Sequence, residues 1–310
     1  MSSSFGSYDL SGFPKAAAFW FRSWWLANIS SSSPDRPPIA NTATVVHIVE
    51  TWRANPAAPA KNRTIHVYTS APFASLALNG AAVAPPAPVP QFGFATFSLP
   101  FAPGTLTATA LAADAATALA TATRVSWGAP AAVRLSVDVP AAATGTGAAL
   151  YLDGEDTALL RATVVDAAGN TCEDATAVVA FAVASGPGAV VGTGNGDLAD
   201  HAPPHAPRRA AYHGLARAMV RVTQASAVAT PAGDGGAAAV ALLAAVNVDA
   251  GRGALSSRVV PGGAAAPIVV TASAPGLAGD SVAIATSLAF SDSPLEVAAA
   301  SVGAGVVGPN

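Results

Sequence analysis

Over much of this chain apolar residues alternate with small or polar ones, and glycine or proline cuts each alternating run short. A period of two sends successive side chains to opposite faces of an extended strand. With Gly 28 and Pro 25 spread along 310 residues, little room remains for long helices. The expected fold class is therefore all-β. Hydrophobic residues reach 52% but aromatics only 6%. Much of the excess is alanine, which buries little area per residue, so a core must be assembled from many short strands.

The alternation begins near Thr42. Thr44–Val49 and Thr64–Thr69 are rich in β-branched residues. Leu76–Leu78 runs into Asn79-Gly80, the strongest short hairpin signal. Phe92–Leu99, Gly104–Leu111 and Ala122–Trp127 continue the series. Some seven strands in about 100 residues is the arithmetic of an immunoglobulin-like sandwich. A second unit opens at Gly128-Ala129-Pro130, with strands expected at Val133–Val137, Ala158–Val165, Ala177–Ala184, Leu215–Val222, Ile268–Ala272 and Ser281–Thr286. Asp166–Asn170 reads as a turn. Residues 192–214 read as a long Gly/Pro/His loop, and 225–264 as an Ala/Gly insertion of low complexity.

Residues 1–29 differ from all that follows. Pro14 suits the first turn of a helix, and the next dozen residues hold Phe19, Trp20, Phe21, Trp24 and Trp25. A helix apolar nearly all round needs a large partner, and sandwiches with their own alternating strands are poor candidates for that role. Residues 30–38 form a Ser/Pro linker. The tail 288–310 has no clear pattern. The resulting division is 1–29, 30–128, 129–287 and 288–310.

Charged residues make up 11% and the net charge is −3, so no basic surplus exists to neutralise phosphates and nucleic acid is not an expected partner. No stretch reads as a membrane span: the windows at 16–26 and 235–248 are shorter than the roughly 20 residues a bilayer needs. The N-terminus is a poor signal peptide, because its apolar part starts only after Asp9 and Lys15. The single Cys172 excludes a disulfide within the chain and any cysteine-based zinc cluster.

Candidate chemistry is sparse. Glu occurs at Glu50, Glu155, Glu173 and Glu296. Asp153-Gly154-Glu155-Asp156 clusters carboxylates in a polar turn, where nothing apolar raises a pKa as general acid catalysis requires. Asp197, Asp200, His201, His205 and His213 are of metal-ligand type, with calcium at Asp197 the version to test. Pro203-Pro204 and Pro207 preclude a helix, so the spacing of His201 and His205 does not bring both rings to one face. A loop held by Asn and Asp hydrogen bonds is the expectation. Gly192-Thr193-Gly194-Asn195-Gly196 lacks the ending of a phosphate loop and opens no helix. Trp52 and Trp127 could stack on sugars, but tryptophan in a sandwich is more often core. No catalytic, cofactor or metal residue is therefore assigned, and carbohydrate-contacting residues stay open.

Three pieces, in order, resemble the C-terminal region of a glycoside hydrolase family 2 enzyme of the β-galactosidase type. Ser4-Phe5-Gly6, Asp9-Leu10 and Gly12-Phe13-Pro14-Lys15 resemble the end of that family's (β/α)8 barrel. Trp52, Ile65–Ser70, Leu76–Gly80 and Pro103–Leu106 resemble its accessory sandwich. Gly188–Asp197, His201, Arg208-Arg209, Tyr212 and Gly214–Ala216 resemble its last sandwich. Ala81–Ala84 and the 225–264 insertion depart from the pattern. The resemblance implies a short helical remnant of the barrel followed by two immunoglobulin-like sandwiches. It places both catalytic Glu of this retaining family upstream of Met1, so no activity is expected of the chain alone and no cofactor is demanded. The barrel of a parent enzyme is the implied partner, with carbohydrate a further one, and the resemblance leans towards a secretory or extracellular compartment. The competing reading is a stand-alone immunoglobulin-like carbohydrate-binding or adhesion module.

Overall fold

The computed structural model describes residues 6–25, 44–53, 61–138, 149–152, 154–223 and 266–287. The linker, the 225–264 insertion, the tail, Asp153 and Glu296 lie outside the described residues. The fold is nearly all β, in mainly antiparallel sheets, with one short helix among the described residues. No described helix is long and apolar enough to cross a membrane.

Helix α1 spans Ala16–Trp25. It starts two residues after Pro14, because Pro14 first closes a turn by pairing with Tyr8. Strands β1 (His47–Ile48), β2 (Arg63–Tyr68), β3 (Phe73–Leu78), β4 (Ala81–Ala82), β5 (Ala87–Pro88), β6 (Ala95–Leu99), β7 (Thr105–Leu111) and β8 (Ala118–Val125) follow. One sheet has the order β1-β2-β6, and the facing one β4-β3-β7-β8, with β5 also on β3. Strict alternation along β6 turns Ala95, Phe97 and Leu99 inward. They meet Trp52, Ile65, Leu76 and Leu106 in a core shared by both sheets. The strand expected at 44–49 shrinks to His47–Ile48. After Val49 bonds His66 O, the Glu50 carboxylate takes the His66 amide at 2.6 Å, so a side chain replaces the next backbone partner.

Asn79 and Gly80 carry φ of 52° and 82°, the pair of positive values that a type I′ hairpin turn requires. The turn also reaches sideways. Asn79 donates to Pro103 O at 3.0 Å and accepts from the Thr105 amide at 2.8 Å. Gly104 has a φ of 134°, and a Cβ there would overlap the Asn79 side chain. The two motifs 76–80 and 103–106 are thus one contact.

Strands β9 (Pro130–Asp138), β10 (Leu150–Tyr151), β11 (Thr157–Asp166), β12 (Val178–Ser185), β13 (Gly188–Gly194), β14 (Arg208–Ala210), β15 (Leu215–Val222), β16 (Ile268–Ser273), β17 (Asp280–Ile284) and β18 (Thr286–Ser287) build a second pair of sheets. Their orders are β13-β15-β11-β9 and β14-β12-β16-β17, and β10 pairs with β18 in parallel. Val133, Leu160, Phe181, Val220, Ile268 and Val270 fill the core between them. The stretch expected as a loop at 192–214 holds the end of β13 and all of β14. Arg209 accounts for this: only 4% exposed, it donates to Thr193 O, Pro203 O and Ala202 O, each at 2.9 Å. That anchor holds β14 against β12 in spite of the prolines.

The two pairs of sheets meet near residue 128. The Asp166 carboxylate accepts from the Gly128 amide at 2.9 Å and from the amides of Ala168 and Asn170. These bonds, that to Gly128 foremost, hold its pKa down at about 2. Arg124 pairs with Glu173 at 2.7 Å, and Arg53 pairs with Asp174.

Candidate functional site

The nominated clusters resolve into structural roles first. Trp52 is fully buried, and its indole donates to Ala102 O at 3.0 Å. Trp127 donates to Asp174 at 2.6 Å with the Arg53 guanidinium over its ring at 5.7 Å, and it packs on Val164, Cys172, Ala175 and Ala211. It therefore fills the junction, and both ring environments are supplied by the chain. Cys172 is buried in that same cluster, and burial pushes its thiol pKa up.

In the 192–214 segment, Asn195 accepts from the Asp197 amide at 3.0 Å and Asp197 from the Ala199 amide at 2.9 Å. Asp200 accepts from Asn195 at 2.7 Å and pairs with Arg209 at 3.2 Å. Its pKa is lowered by the Ala202 amide first and then by Arg209. These are the Asn and Asp hydrogen bonds expected of this loop. His201 and His205 are exposed, and His213 packs on Tyr212 with ring centroids 4.3 Å apart. Among the described residues, no three His, Cys, Asp or Glu side chains gather to hold a metal ion. Glu50 engages His66 at 2.5 Å and Glu173 engages Arg124, while Glu155 is exposed in its turn.

The remaining feature is the N-terminal segment. One flank of α1 lies on the outer face of β1-β2-β6. Phe19 stacks on His47 with centroids 3.8 Å apart, Trp24 packs on Phe92 at 5.2 Å, and Trp20 donates to Phe92 O at 3.3 Å. A sandwich thus covers a helix for which sandwiches read as poor partners. The reason is aromatic: His47, Tyr68, Phe92 and Phe94 give that sheet face an apolar surface of its own. Burial, and secondarily Arg124, lowers the His47 pKa to about 4.

Among the described residues, the opposite flank is not covered by another element. Tyr8, Pro14, Ala18, Phe19, Phe21, Arg22 and Trp25 line a cleft of about 360 Å³. Trp25 is 65% exposed, and Tyr8 and Leu10 nearly as much. One guanidinium and no carboxylate are among its lining residues, which are otherwise mostly apolar.

Ahead of the helix, residues 8–14 form a turn stitched by Asp9, whose carboxylate accepts from the amides of Ser11 and Phe13 at 2.8 and 2.9 Å. Phe13 is 4% exposed, with the Arg217 and Arg161 guanidinia 4.3 and 5.2 Å from its ring. Both arginines pair with Asp138, at 2.6 and 3.1 Å. Sequence reasoning missed this group. The available trace was two arginines at outward positions of β11 and β15; their direct pairing across the sheet was not legible.

Residues 142–230 match the model of glycoside hydrolase family 2 C-terminal domain 5. No curated protein matches the chain. Among solved structures, the fold is similar to that of a β-glycosidase from Bacteroides vulgatus, with TM-score 0.63 and 18% identity over 91% of this chain and 28% of that one. A glycosyl hydrolase family 2 member from Bacteroides cellulosilyticus DSM 14838 gives TM-score 0.64 and 20% identity over 91% of this chain and 32% of that one. A β-glucuronidase from glycoside hydrolase family 2 gives 0.59 and 21% over 91% and 22%. The chain spans between about a fifth and a third of the length of these structures. Residues 142–230 thus carry the pattern of a family 2 C-terminal domain, on a chain whose fold is found in enzymes of that family.

Proposed function

We propose that this chain is the non-catalytic C-terminal region of a β-galactosidase-like glycoside hydrolase of family 2, whose complete form hydrolyses terminal β-galactosides with retention. Residues 1–29 then end a catalytic (β/α)8 barrel. Residues 30–128 and 129–287 are two immunoglobulin-like sandwiches that buttress it. The observation that carries this reading is the exposed aromatic flank of α1, on a chain whose residues 142–230 match the family's C-terminal domain. An apolar cleft with Trp25 exposed fits the inner side of a barrel helix, which the neighbouring barrel helices and strands would cover. A stand-alone module has no use for that exposure.

Retaining hydrolysis needs two carboxyl groups about 5–5.5 Å apart, one of them perturbed by its surroundings. Glu50 and Glu173 are each held by a basic partner of this chain instead. The test is the purified chain with a chromogenic β-galactoside, beside Glu50→Gln and Glu155→Gln. The expected result is no turnover above buffer in any of the three. Turnover that disappears in either variant overturns the assignment. In-frame coding sequence for a barrel upstream of Met1 is the corresponding genomic expectation.

A further inference from the structure

We infer that residues 8–25 are a clasp that joins the two pairs of sheets at a second point, with the Gly194–Gly196 corner and the Arg161/Arg217 pair as its seat. This inference is independent of the family reading. The two ends of the segment grip different bodies. Helix α1 lies on β1-β2-β6 through Phe19 and Trp24. The turn ahead of it lies on β13-β15-β11-β9 through Phe13. Lys15 alone separates the two elements, and its amide is bonded to Ser7 O at 2.9 Å, so the turn runs into the helix with no slack.

The seat is shaped for this occupant. A Cβ at Gly196 would overlap Asp9, and the three atoms nearest to it all belong to Asp9. A Cβ at Gly194 would meet only Ser11, at 2.9 Å from its Oγ. Glycine is what a close backbone approach demands, and here the approaching group is the N-terminal turn. Asn195 between them is 7% exposed and fixed by bonds to Asp200 and Ala210 O, so the corner is rigid. Phe13 then lies under two guanidinia held in place by Asp138, an arrangement that attracts an aromatic face.

The clasp and the junction are distinct points. Arg161 precedes Asp166 by five residues along β11, about 17 Å at the rise of a strand. A single region of contact leaves two bodies freer to swing; a second, separated one restrains their orientation. The glycine-rich stretch that imitates a phosphate loop is, on this reading, a receptor for the chain's own N-terminal turn.

The experiment uses the full chain and two variants that attack the clasp from opposite sides, Phe13→Ala and Gly196→Val, with Leu10→Ser as a control on an exposed position of the same turn. Hydrogen exchange reads the amides of Gly12, Phe13 and Lys15. Spin labels on Thr121→Cys and Thr157→Cys, with Cys172 buried and unlabelled, read the distance between the sheet pairs. Both variants should speed exchange of those amides at least tenfold and broaden the distance distribution at least twofold, while Leu10→Ser changes neither. Should Phe13→Ala fail to fold, Gly196→Val decides alone, since the nearest atoms to its added Cβ belong to Asp9 of the turn. Amides that stay protected, or a distance distribution that keeps its width while the turn frays, would overturn the clasp.

Discussion

Two residue positions carry measurable consequences beyond their size. His47 is neutral in its stack with Phe19, and its pKa of about 4 lies below the 6.5 of a free side chain. Between those values the unfolded chain takes up a proton that the folded one refuses. Stability contributed by this residue is therefore complete above pH 6.5, falls as pH drops towards 4, and is flat below. At 1.36 kcal/mol per pKa unit the ceiling on the loss is about 3 to 4 kcal/mol, and solvent screening of this partly exposed ring keeps the actual loss well below it. His47→Phe keeps the stack and should flatten that part of the stability curve in urea titrations run from pH 7 to 4. Gly104 is the other position. Gly104→Ala strains a φ of 134° and displaces Asn79 from its two bonds to the 103–105 backbone, so it should cost about 2–3 kcal/mol in chemical denaturation. Asn79-Gly80 was legible as a turn, because its positive φ values are a local demand. That Gly104 serves the same turn was not, since nothing local to Pro103-Gly104-Thr105 shows what approaches it.

At the scale of elements, period two located most of the longer strands, β9 and β17 at sheet edges included, and lost the shortest ones. β11, β12, β15 and β16 lie within a residue or two of their expected places, since each turns one face to the core and their sequences alternate for that reason. β5, β10, β14 and β18 are two or three residues long and carry no pattern to read. β14 exists through Arg209. Arg209→Met should leave the carbonyls of Thr193, Ala202 and Pro203 without their donor and Asp200 without its cation, at a cost of about 3–5 kcal/mol. The same variant should raise the Asp200 pKa, read by carboxyl NMR, while the Ala202 amide keeps part of the lowering. Since Asn195, Asp197 and Asp200 are occupied by amides and Arg209, thermal melts with calcium and with chelator should coincide. A rise of several degrees in calcium would show linked binding at this loop.

Across the whole molecule the junction and the helix decide behaviour. The Asp166 carboxylate, held near a pKa of 2 by the Gly128 amide above all, stabilises the fold above the ordinary carboxylate pKa of 3.8. That contribution is lost as pH falls from about 4 to 2, and Asp166→Asn should remove this step from the acid-unfolding curve monitored by near-ultraviolet circular dichroism. Arg53, Arg124 and Trp127 reach the same region from the first pair of sheets, to Asp174 and Glu173, which makes it a shared interface.

By itself the sequence determined the class of fold: alternation and frequent Gly and Pro leave short antiparallel strands as the way to bury so alanine-rich a chain. It also determined the hairpin at Asn79-Gly80 and the helix after Pro14, because turn chemistry and helical aromatic spacing act within a few residues. Only the tertiary structure decided what those aromatics touch, that Phe13 lies under Arg161 and Arg217, and that Gly194 and Gly196 face Asp9 and Ser11. The physical reason is distance along the chain. Those contacts join residues from about 30 to about 200 positions apart, and strand register, set by the packing of two cores, brings them together.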